Sequence, residues 1–213
     1  MSELNLIPDG WKVIKLGDYF EFSKKPKNLK IAENELIPFI PMDIIPEDNR
    51  EIINWQYKTF AEISSGTFVY RNDLIVAKIT PSFENGKQVI LCNLPTSYGY
   101  ATTEVWALHS VSEDANTEYL YNFLKIPEVR KGLASKMEGA TGRQRLPRAV
   151  LDSLLILLPP IEEQKTIVKF LSTIQVAKLK AEAEMKALDN LYRSVLPPLM
   201  AGDFRVKDLE IPA

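Results

Sequence analysis

The chain has 213 residues, of which 46% are hydrophobic and 25% are charged, and its formal net charge is −2. These values are typical of soluble globular proteins, and no apolar run approaches the roughly 18 residues of a membrane span, which excludes an integral membrane protein. One cysteine and one histidine exclude an internal disulfide and a Cys/His zinc site. The first residues lack the basic start and the apolar stretch of a signal peptide, so we expect a cytoplasmic protein.

Short strands separated by turns are predicted for the first part of the chain. Asn72-Asp73 and Asn85-Gly86 mark tight turns, and the second pair is a hairpin signal because glycine accepts a positive φ. We therefore expect an α+β fold with a mixed or antiparallel sheet. The strand segments, rich in branched or aromatic residues and bounded by turn formers, are residues 11–16, 68–70, 74–79, 88–91, 104–108 and 154–158.

One helix is predicted between the later strands, over residues 117–137. Pro127 is expected to interrupt or kink it. The polar and glycine-rich segment that follows, residues 138–145, is predicted to be an exposed loop. The apolar side of the helix carries Tyr119, Leu120, Phe123 and Leu124.

The last part of the chain predicts one long helix over residues 160–196. Proline suits the first turn, and Glu162-Glu163 face the positive end of the helix dipole. Pro197-Pro198 are expected to end the helix. Apolar residues recur at alternating spacings of four and three, which is the coiled-coil period, and one lysine breaks the stripe. The stripe contains Ile167, Leu171, Ile174, Lys178, Ala181, Met185, Leu188, Tyr192, Val195 and Leu199.

This helix is too long for its own domain to cover. It would reach roughly 55 Å, so much of the stripe is expected to meet another helix. A helix folded back on its own domain is the alternative. The sequence thus predicts a domain at residues 1–158 and a helical dimerisation or spacer region at residues 159–213. The candidate dimerisation residues are Ile167, Leu171, Ile174, Lys178, Met185, Leu188 and Tyr192.

Recognisable catalytic motifs are absent from the sequence. It contains no glycine-rich phosphate loop and no nucleophile elbow, and His109 has no partner motif for a triad. Residues 158–161 (LPPI) and 196–199 (LPPL) lack the polar acceptor that an adenine methyltransferase needs. Glu163-Gln164-Lys165 mimics a nuclease element, but glutamate is expected at a helix start for dipole reasons. We therefore expect a chain without catalysis of its own.

Several segments together resemble the specificity subunits of type I restriction-modification systems. Each segment is weak alone, but their order and spacing cover nearly the whole chain. Members of this family commonly carry two target-recognition domains and two helical regions packed antiparallel, so this chain resembles a half subunit. The segments are residues 7–11 (IPDGW), 13–18 (VIKLGD), 72–81 (NDLIVAKITP), 84–87 (ENGK), 101–104 (ATTE), 119–124 (YLYNFL), 151–168 (LDSLLILLPPIEEQKTIV) and 199–202 (LMAG).

The resemblance implies recognition of double-stranded DNA, and it implies that adenine methylation and restriction are directed to a bipartite target. Modification subunits would bind S-adenosylmethionine, and a restriction subunit would use ATP and Mg, so this chain itself would hold no cofactor and no metal. A second half-specificity subunit, identical or different, would pair through the C-terminal helix. The alternatives are a stand-alone DNA methyltransferase or nuclease, and a coiled-coil interaction protein that does not bind DNA.

Three polar segments are predicted to face the DNA: residues 24–30, the hairpin at 80–87 and the loop at 139–148. A reader of the major groove must project long polar side chains from loops that the sheet stiffens. The net charge of −2 counts against DNA binding unless basic residues are concentrated on one face, as they are in the first and third segments. The candidate DNA-binding residues are Lys25, Lys27, Lys78, Ser82, Asn85, Lys87, Arg143, Gln144, Arg145 and Arg148.

The loop at residues 139–148 is the best candidate for reading bases. Gly139 and Gly142 permit a close approach of the backbone. The side chains of Arg143, Gln144 and Arg145 offer forks suited to guanine and adenine edges.

Different roles are predicted within this set. Asn85 and Gln144 are the candidates for reading adenine. The alternative is that Asn85-Gly86 is only a hairpin turn and Arg143 only a surface residue. Phosphate contacts are predicted for Lys78, Lys87 and Arg148.

Overall fold

The computed structural model describes residues 7–47, 51–140, 142–203 and 205. The chain divides into two compact units, Met1–Val168 and Lys169–Ala213. The first unit contains every described strand, and the second contains most of the long C-terminal helix. The predicted functional boundary after residue 158 stays a prediction.

The described residues form ten strands and five α-helices. The strands are β1 (Lys12–Lys15), β2 (Phe20–Phe22), β3 (Leu36–Ile40), β4 (Gln56–Thr59), β5 (Thr67–Tyr70), β6 (Leu74–Ala77), β7 (Gln88–Ile90), β8 (Tyr98–Ala101), β9 (Val105–Ser110) and β10 (Leu155–Leu158). The helices are α1 (Leu16–Tyr19), α2 (Thr117–Phe123), α3 (Pro127–Ala134), α4 (Arg148–Asp152) and α5 (Ile161–Ala201).

These strands form three sheets. Strand β1 pairs antiparallel with β10. The second sheet has the order β2-β9-β6-β7, and all of its pairs are antiparallel. The third has the order β4-β3-β8-β5, in which the β3–β8 pair is parallel and the others are antiparallel. The predicted α+β fold with mixed and antiparallel sheets and a long C-terminal helix is confirmed.

Strands β2, β3, β4 and β8 were not among the predicted segments. Strand β3 contains Pro38 and β8 contains Gly99, and these residue types argue against a strand in any pattern-based reading. The pairing of β3 with β4 runs unbroken from Leu36 to Phe39, and the pairing of β3 with β8 begins at Phe39, after Pro38. Strand β4 (QYKT) is a half-exposed edge without an apolar repeat.

Strand β6 is buried on both faces and anchors the first unit. Leu74 and Val76 join the cluster formed with helices α2, α3 and α4, while Ile75 joins the cluster between the second and third sheets. A continuous apolar run is what a strand covered on both sides requires. The loops at either end of β6 therefore start from a rigid strand.

The predicted helix at residues 117–137 is two helices, as the expected interruption at Pro127 required. Helix α2 begins at an N-cap, because Asn116 Oδ1 accepts hydrogen bonds from the backbone N–H of Glu118 at 2.7 Å and of Tyr119 at 3.1 Å. Pro127 occupies the first turn of α3, where a missing N–H costs nothing.

Helix α5 has 41 residues and continues past the predicted end, so the prediction that Pro197-Pro198 stop it was wrong. Proline has a helical φ, and on this exposed stretch of helix water can bind the carbonyls that its missing N–H groups leave unpaired. The helix ends instead before Gly202, whose φ of +81° suits the residue after a helix C-terminus. In the described ranges, no helix combines the length and apolar character that crossing a membrane demands.

Candidate nucleic-acid interface

The loop at residues 139–148 is bonded through its backbone to the end of β6. Glu138 and Arg145 exchange two N–H to C=O hydrogen bonds, of 2.9 and 2.8 Å. The N–H of Thr80 donates to the carbonyl of Gln144 at 3.0 Å, and the N–H of Leu146 donates to the carbonyl of Lys78 at 2.7 Å. The chain that carries the predicted base-reading side chains therefore starts and ends at fixed points.

The side chains of this loop face solvent to different degrees. Arg143 and Arg145 are exposed, whereas Gln144 is half-buried. The N–H of Arg143 donates to the carbonyl of Ala140 at 2.8 Å, which closes a turn at the tip. The predicted exposed loop is confirmed.

The predicted hairpin at residues 80–87 connects the antiparallel strands β6 and β7. Asn85 is exposed, and Ser82 is half-buried with its carbonyl accepting the N–H of Lys87 at 3.0 Å. The ammonium of Lys87 donates to the backbone carbonyl of Met42 at 2.9 Å. This bond braces the Lys87 side chain against the domain, and the ammonium keeps two further N–H groups that could meet a phosphate.

Lys78 is buried, although the sequence predicts a phosphate contact for it. Its ammonium lies 3.7 Å from the centroid of the Trp106 ring. Burial and then the positive charge of Arg145 lower the pKa of Lys78 to about 8, against an opposing effect of Glu104. Because the Lys78 side chain is buried, a direct phosphate contact would require it to move towards solvent.

Arg148 joins a second group of cations and aromatic rings. Its guanidinium lies 4.3 Å from the centroid of the Phe22 ring, and its Nε lies 3.3 Å from Asp152 Oδ2. Phe22 in turn meets Trp106 edge to face at 5.1 Å. Arg148 and Lys24 line one polar cavity. The structure thus brings Arg148 and the first basic segment together.

The other two predicted lysines of that basic segment are exposed. Lys25 Nζ lies 4.7 Å from the centroid of the Phe60 ring, and Lys27 faces solvent. A cation on an aromatic face remains available to an anion on its open side.

Sequence reasoning missed a cluster around His109. Ser23 Oγ donates to Asp73 Oδ2 at 2.5 Å and lies 2.9 Å from His109 Nδ1, while Asp73 Oδ1 lies 3.6 Å from the same ring nitrogen. In a nucleophilic triad the serine and the carboxylate bond opposite ring nitrogens. This cluster therefore does not have triad geometry. Burial raises the pKa of Asp73 to about 6, although hydrogen bonds and the histidine oppose the shift.

The Glu163-Gln164-Lys165 triplet has structural partners. The Gln164 side chain is buried, accepts the N–H of Asn116 at 2.9 Å and donates to the carbonyls of Asp114 and Pro159 at 2.7 and 2.8 Å. The indole N–H of Trp11 donates to Glu163 Oε2 at 3.1 Å. The resemblance to a nuclease element thus reflects how the helix start is fixed to the domain.

The predicted dimerisation stripe is exposed over most of its length. The side chains of Met185, Leu188 and Tyr192 are 70%, 65% and 65% exposed. Ile167 differs, since it packs against the core of the first unit. Lys178, the polar member of the stripe, lies 3.6 Å from Glu182 one turn on. Leu171 and Ile174 are also exposed.

The titratable side chains do not cluster into a metal site within the described residues. No group of three or more His, Cys, Asp or Glu residues within the described part of the chain could hold a metal ion. The predicted lack of a cofactor stays a prediction.

Comparisons with known proteins agree on one family. The profile of the type I restriction modification DNA specificity domain matches residues 8–187. The type I restriction enzyme EcoAI specificity subunit of Escherichia coli is 31% identical over 187 residues, which cover 87% of this chain and 31% of that protein. The EcoEI specificity subunit of the same organism is 30% identical over 92% of this chain and 33% of its own length. The chain thus spans about a third of these relatives.

A solved structure has the same fold. The HsdS subunit from Thermoanaerobacter tengcongensis superposes with a TM-score of 0.67 at 20% identity, and the match covers 100% of this chain and 54% of that one. The family resemblance predicted from the ordered segments is confirmed. The chain belongs to the family of type I restriction modification DNA specificity domains.

Proposed function

We propose that this chain selects the DNA sequence at which a type I restriction-modification enzyme acts. The observation that carries the proposal is the loop at residues 139–148, which presents exposed polar side chains from a backbone bonded to the sheet within a DNA specificity domain. Arg143 and Gln144 are the proposed base readers, because their forks match guanine and adenine edges in the major groove. Asn85 on the neighbouring hairpin is a third.

The proposed chemistry is supplied by partner subunits. A modification subunit binds S-adenosylmethionine and methylates a flipped adenine, and a restriction subunit uses ATP and Mg to cleave. This chain adds no catalytic group of its own, which fits the serine and carboxylate of the His109 cluster both lying at one ring nitrogen. We place the protein in the cytoplasm, where these subunits meet DNA.

The stripe on α5 is the proposed contact with a second specificity half. Burying a leucine or methionine side chain stabilises by about 1.5–3 kcal/mol, so covering Leu171, Met185 and Leu188 is strongly favourable. The partner helix packs antiparallel, as the coiled-coil period and the family organisation suggest. If the partner is an identical chain, its two-fold axis requires an inverted-repeat target with a fixed gap.

DNA binding by the complex with the modification subunit tests the proposal. Arg143→Ala or Gln144→Ala is expected to weaken target binding by roughly 1–3 kcal/mol and to relax preference at one base pair. Lys27→Ala, in contrast, is expected to weaken binding to every sequence alike and to lower the salt slope by about one unit. Competition between target duplexes and single-pair variants separates these effects.

Two outcomes would contradict the proposal. If Arg143→Ala and Gln144→Ala both leave affinity and preference unchanged, this loop does not read bases. If the assembled complex shows neither salt-dependent DNA retention nor target preference, the chain is instead a coiled-coil interaction protein that does not bind DNA.

A further inference from the structure

The backbone N–H and carbonyl of Leu146 are both hydrogen-bonded, the first to Lys78 and the second to Trp106. Its N–H donates to the carbonyl of Lys78 at 2.7 Å, and its carbonyl accepts the indole N–H of Trp106 at 3.1 Å. Leu146 is fully buried and directly follows the polar residues of the 139–148 loop. The position of the loop therefore depends on where Trp106 and Lys78 lie.

Trp106 and Lys78 also hold each other. The Lys78 ammonium lies over the indole at 3.7 Å, and Trp106 sits on β9 directly beside β6, opposite Val76. A desolvated cation on an indole face is one of the stronger cation–π arrangements. The pair thus links the end of β6, the neighbouring strand β9 and Leu146 of the loop.

The charge on Lys78 is costly to folding. Burial and the nearby Arg145 lower the pKa of Lys78 to about 8, while Glu104 opposes the shift. A lysine with a depressed folded pKa binds its proton less tightly than in the unfolded chain, so its contribution to stability increases as the pH rises through 8.

We propose that Trp106 and Lys78 are positioning residues that set the geometry of the base-reading loop at residues 139–148. The indole N–H fixes the carbonyl of Leu146, and the ammonium fixes the indole. The inference rests on the proposed function, because it assumes that this loop reads bases. Trp106 and Lys78 would then influence recognition through the positions of Arg143 and Gln144, without touching DNA themselves.

The test uses Trp106→Phe in the full chain assembled with its modification subunit. This variant keeps an aromatic face for Lys78 and loses the hydrogen bond to Leu146. We expect the preference for the target over a duplex altered at the base pair read by Arg143 or Gln144 to fall about tenfold, the effect of one lost half-buried hydrogen bond. Trp11→Phe is the matched control, since it also loses an indole hydrogen bond, to Glu163, and should leave the preference unchanged.

A second variant separates positioning from stability. Lys78→Met keeps the apolar stem and removes the charge, so we expect its melting temperature at pH 7 to equal or exceed that of the wild type while the target preference falls. The wild-type preference should also decline between pH 7 and pH 9, and this pH step should be absent in Lys78→Met.

The outcomes distinguish this inference from the proposed function. Unchanged preference in Trp106→Phe and Lys78→Met, with a clear loss in Arg143→Ala or Gln144→Ala, would overturn the positioning role and leave the loop as the reader. An equal loss of preference in Trp11→Phe would also overturn it, because the effect would then be general. A wild-type complex without any target preference would overturn both.

Discussion

The loop at residues 139–148 and the stripe on α5 are both exposed, but they differ in polarity and in how far contacts within the chain already hold them. The loop is polar, and hydrogen bonds from Thr80, Glu138 and Leu146 fix its backbone. The stripe is apolar, and its residues from Leu171 to Tyr192 remain open to solvent on a single helix. The described loop backbone already has hydrogen-bond partners within the domain, whereas the stripe gains its stabilisation only when covered.

This difference indicates how each surface would work. A rigid polar loop loses little conformational entropy on binding, which favours discrimination between similar ligands. An exposed apolar stripe stabilises an assembly with little demand on the exact partner. Recognition and assembly are therefore expected to fail independently, and the following variants test that separation.

The largest effect is expected from charges on the stripe. Leu171→Glu with Leu188→Glu should convert a dimer to a 24.2 kDa monomer in light scattering, because two carboxylates would be buried without partners. The melting temperature of the first unit should stay unchanged. Val176→Glu is the control, since Val176 is 67% exposed and lies off the stripe. A mass unaffected by the double change, or a wild type that is already monomeric, would argue against this interface.

A smaller effect, on the free energy of unfolding, is expected when the buried carboxyl of Asp73 is replaced. This carboxyl contacts Ser23 after β2, His109 on β9 and the turn before β6. Burial raises the pKa of Asp73 from the ordinary 3.8 to about 6, so its favourable contribution is present below pH 3.8 and is lost as the pH rises through 6. Relative to the wild type, Asp73→Asn should therefore gain about 2–3 kcal/mol in unfolding free energy between pH 4 and pH 8.

Denaturant unfolding at several pH values measures this difference. Asp43→Asn provides the control, because Asp43 is exposed and should show no such trend. A flat difference between Asp73→Asn and the wild type would mean that the carboxyl is not destabilised by burial.

The smallest effect is the difference in unfolding free energy between alanine variants of Gly86, on the hairpin, and Gly142, on the 139–148 loop. Gly86 has a φ of +82°, and a Cβ built there would lie 2.0 Å from Arg130 Nη1, whereas Gly142 has a φ of +79° and open space. Both alanine variants meet the same backbone strain. Gly86→Ala should cost about 1 kcal/mol more, because Arg130 must give up its 3.1 Å bond to the carbonyl of Leu124. Equal losses of unfolding free energy would show that Arg130 moves freely.

Much of the scaffold could be predicted from the sequence, because its signals are local. The apolar run of β6 and the turn residues Asn72 and Gly86 indicate a hairpin without reference to the rest of the chain. Strand β3 could not be predicted in this way, since only its neighbours β4 and β8 make the proline-containing segment extended. The helix end could not be predicted from Pro197-Pro198, because proline is compatible with a helical φ and the end is instead set by Gly202 at a positive φ.

The candidate site was less predictable than the fold. Composition identified Arg143 and Gln144 as polar residues in a glycine-rich loop, and the structure places that loop on a fixed base. The hydrogen bond of Lys87 depends on Met42, 45 residues away in the chain. The buried position of Lys78 depends on Trp106, 28 residues away. No local pattern distinguishes such a lysine from one that faces a phosphate.

Methylation by purified components tests the central claim most directly. The chain alone, the modification subunit alone and the two together are incubated with labelled S-adenosylmethionine and a plasmid, and methylated adenines are mapped. We predict methylation only when both are present, at one sequence motif, and loss of that motif's preference with Arg143→Ala or Gln144→Ala. Methyl transfer by the chain alone, or an identical methylation pattern without it, would contradict the account.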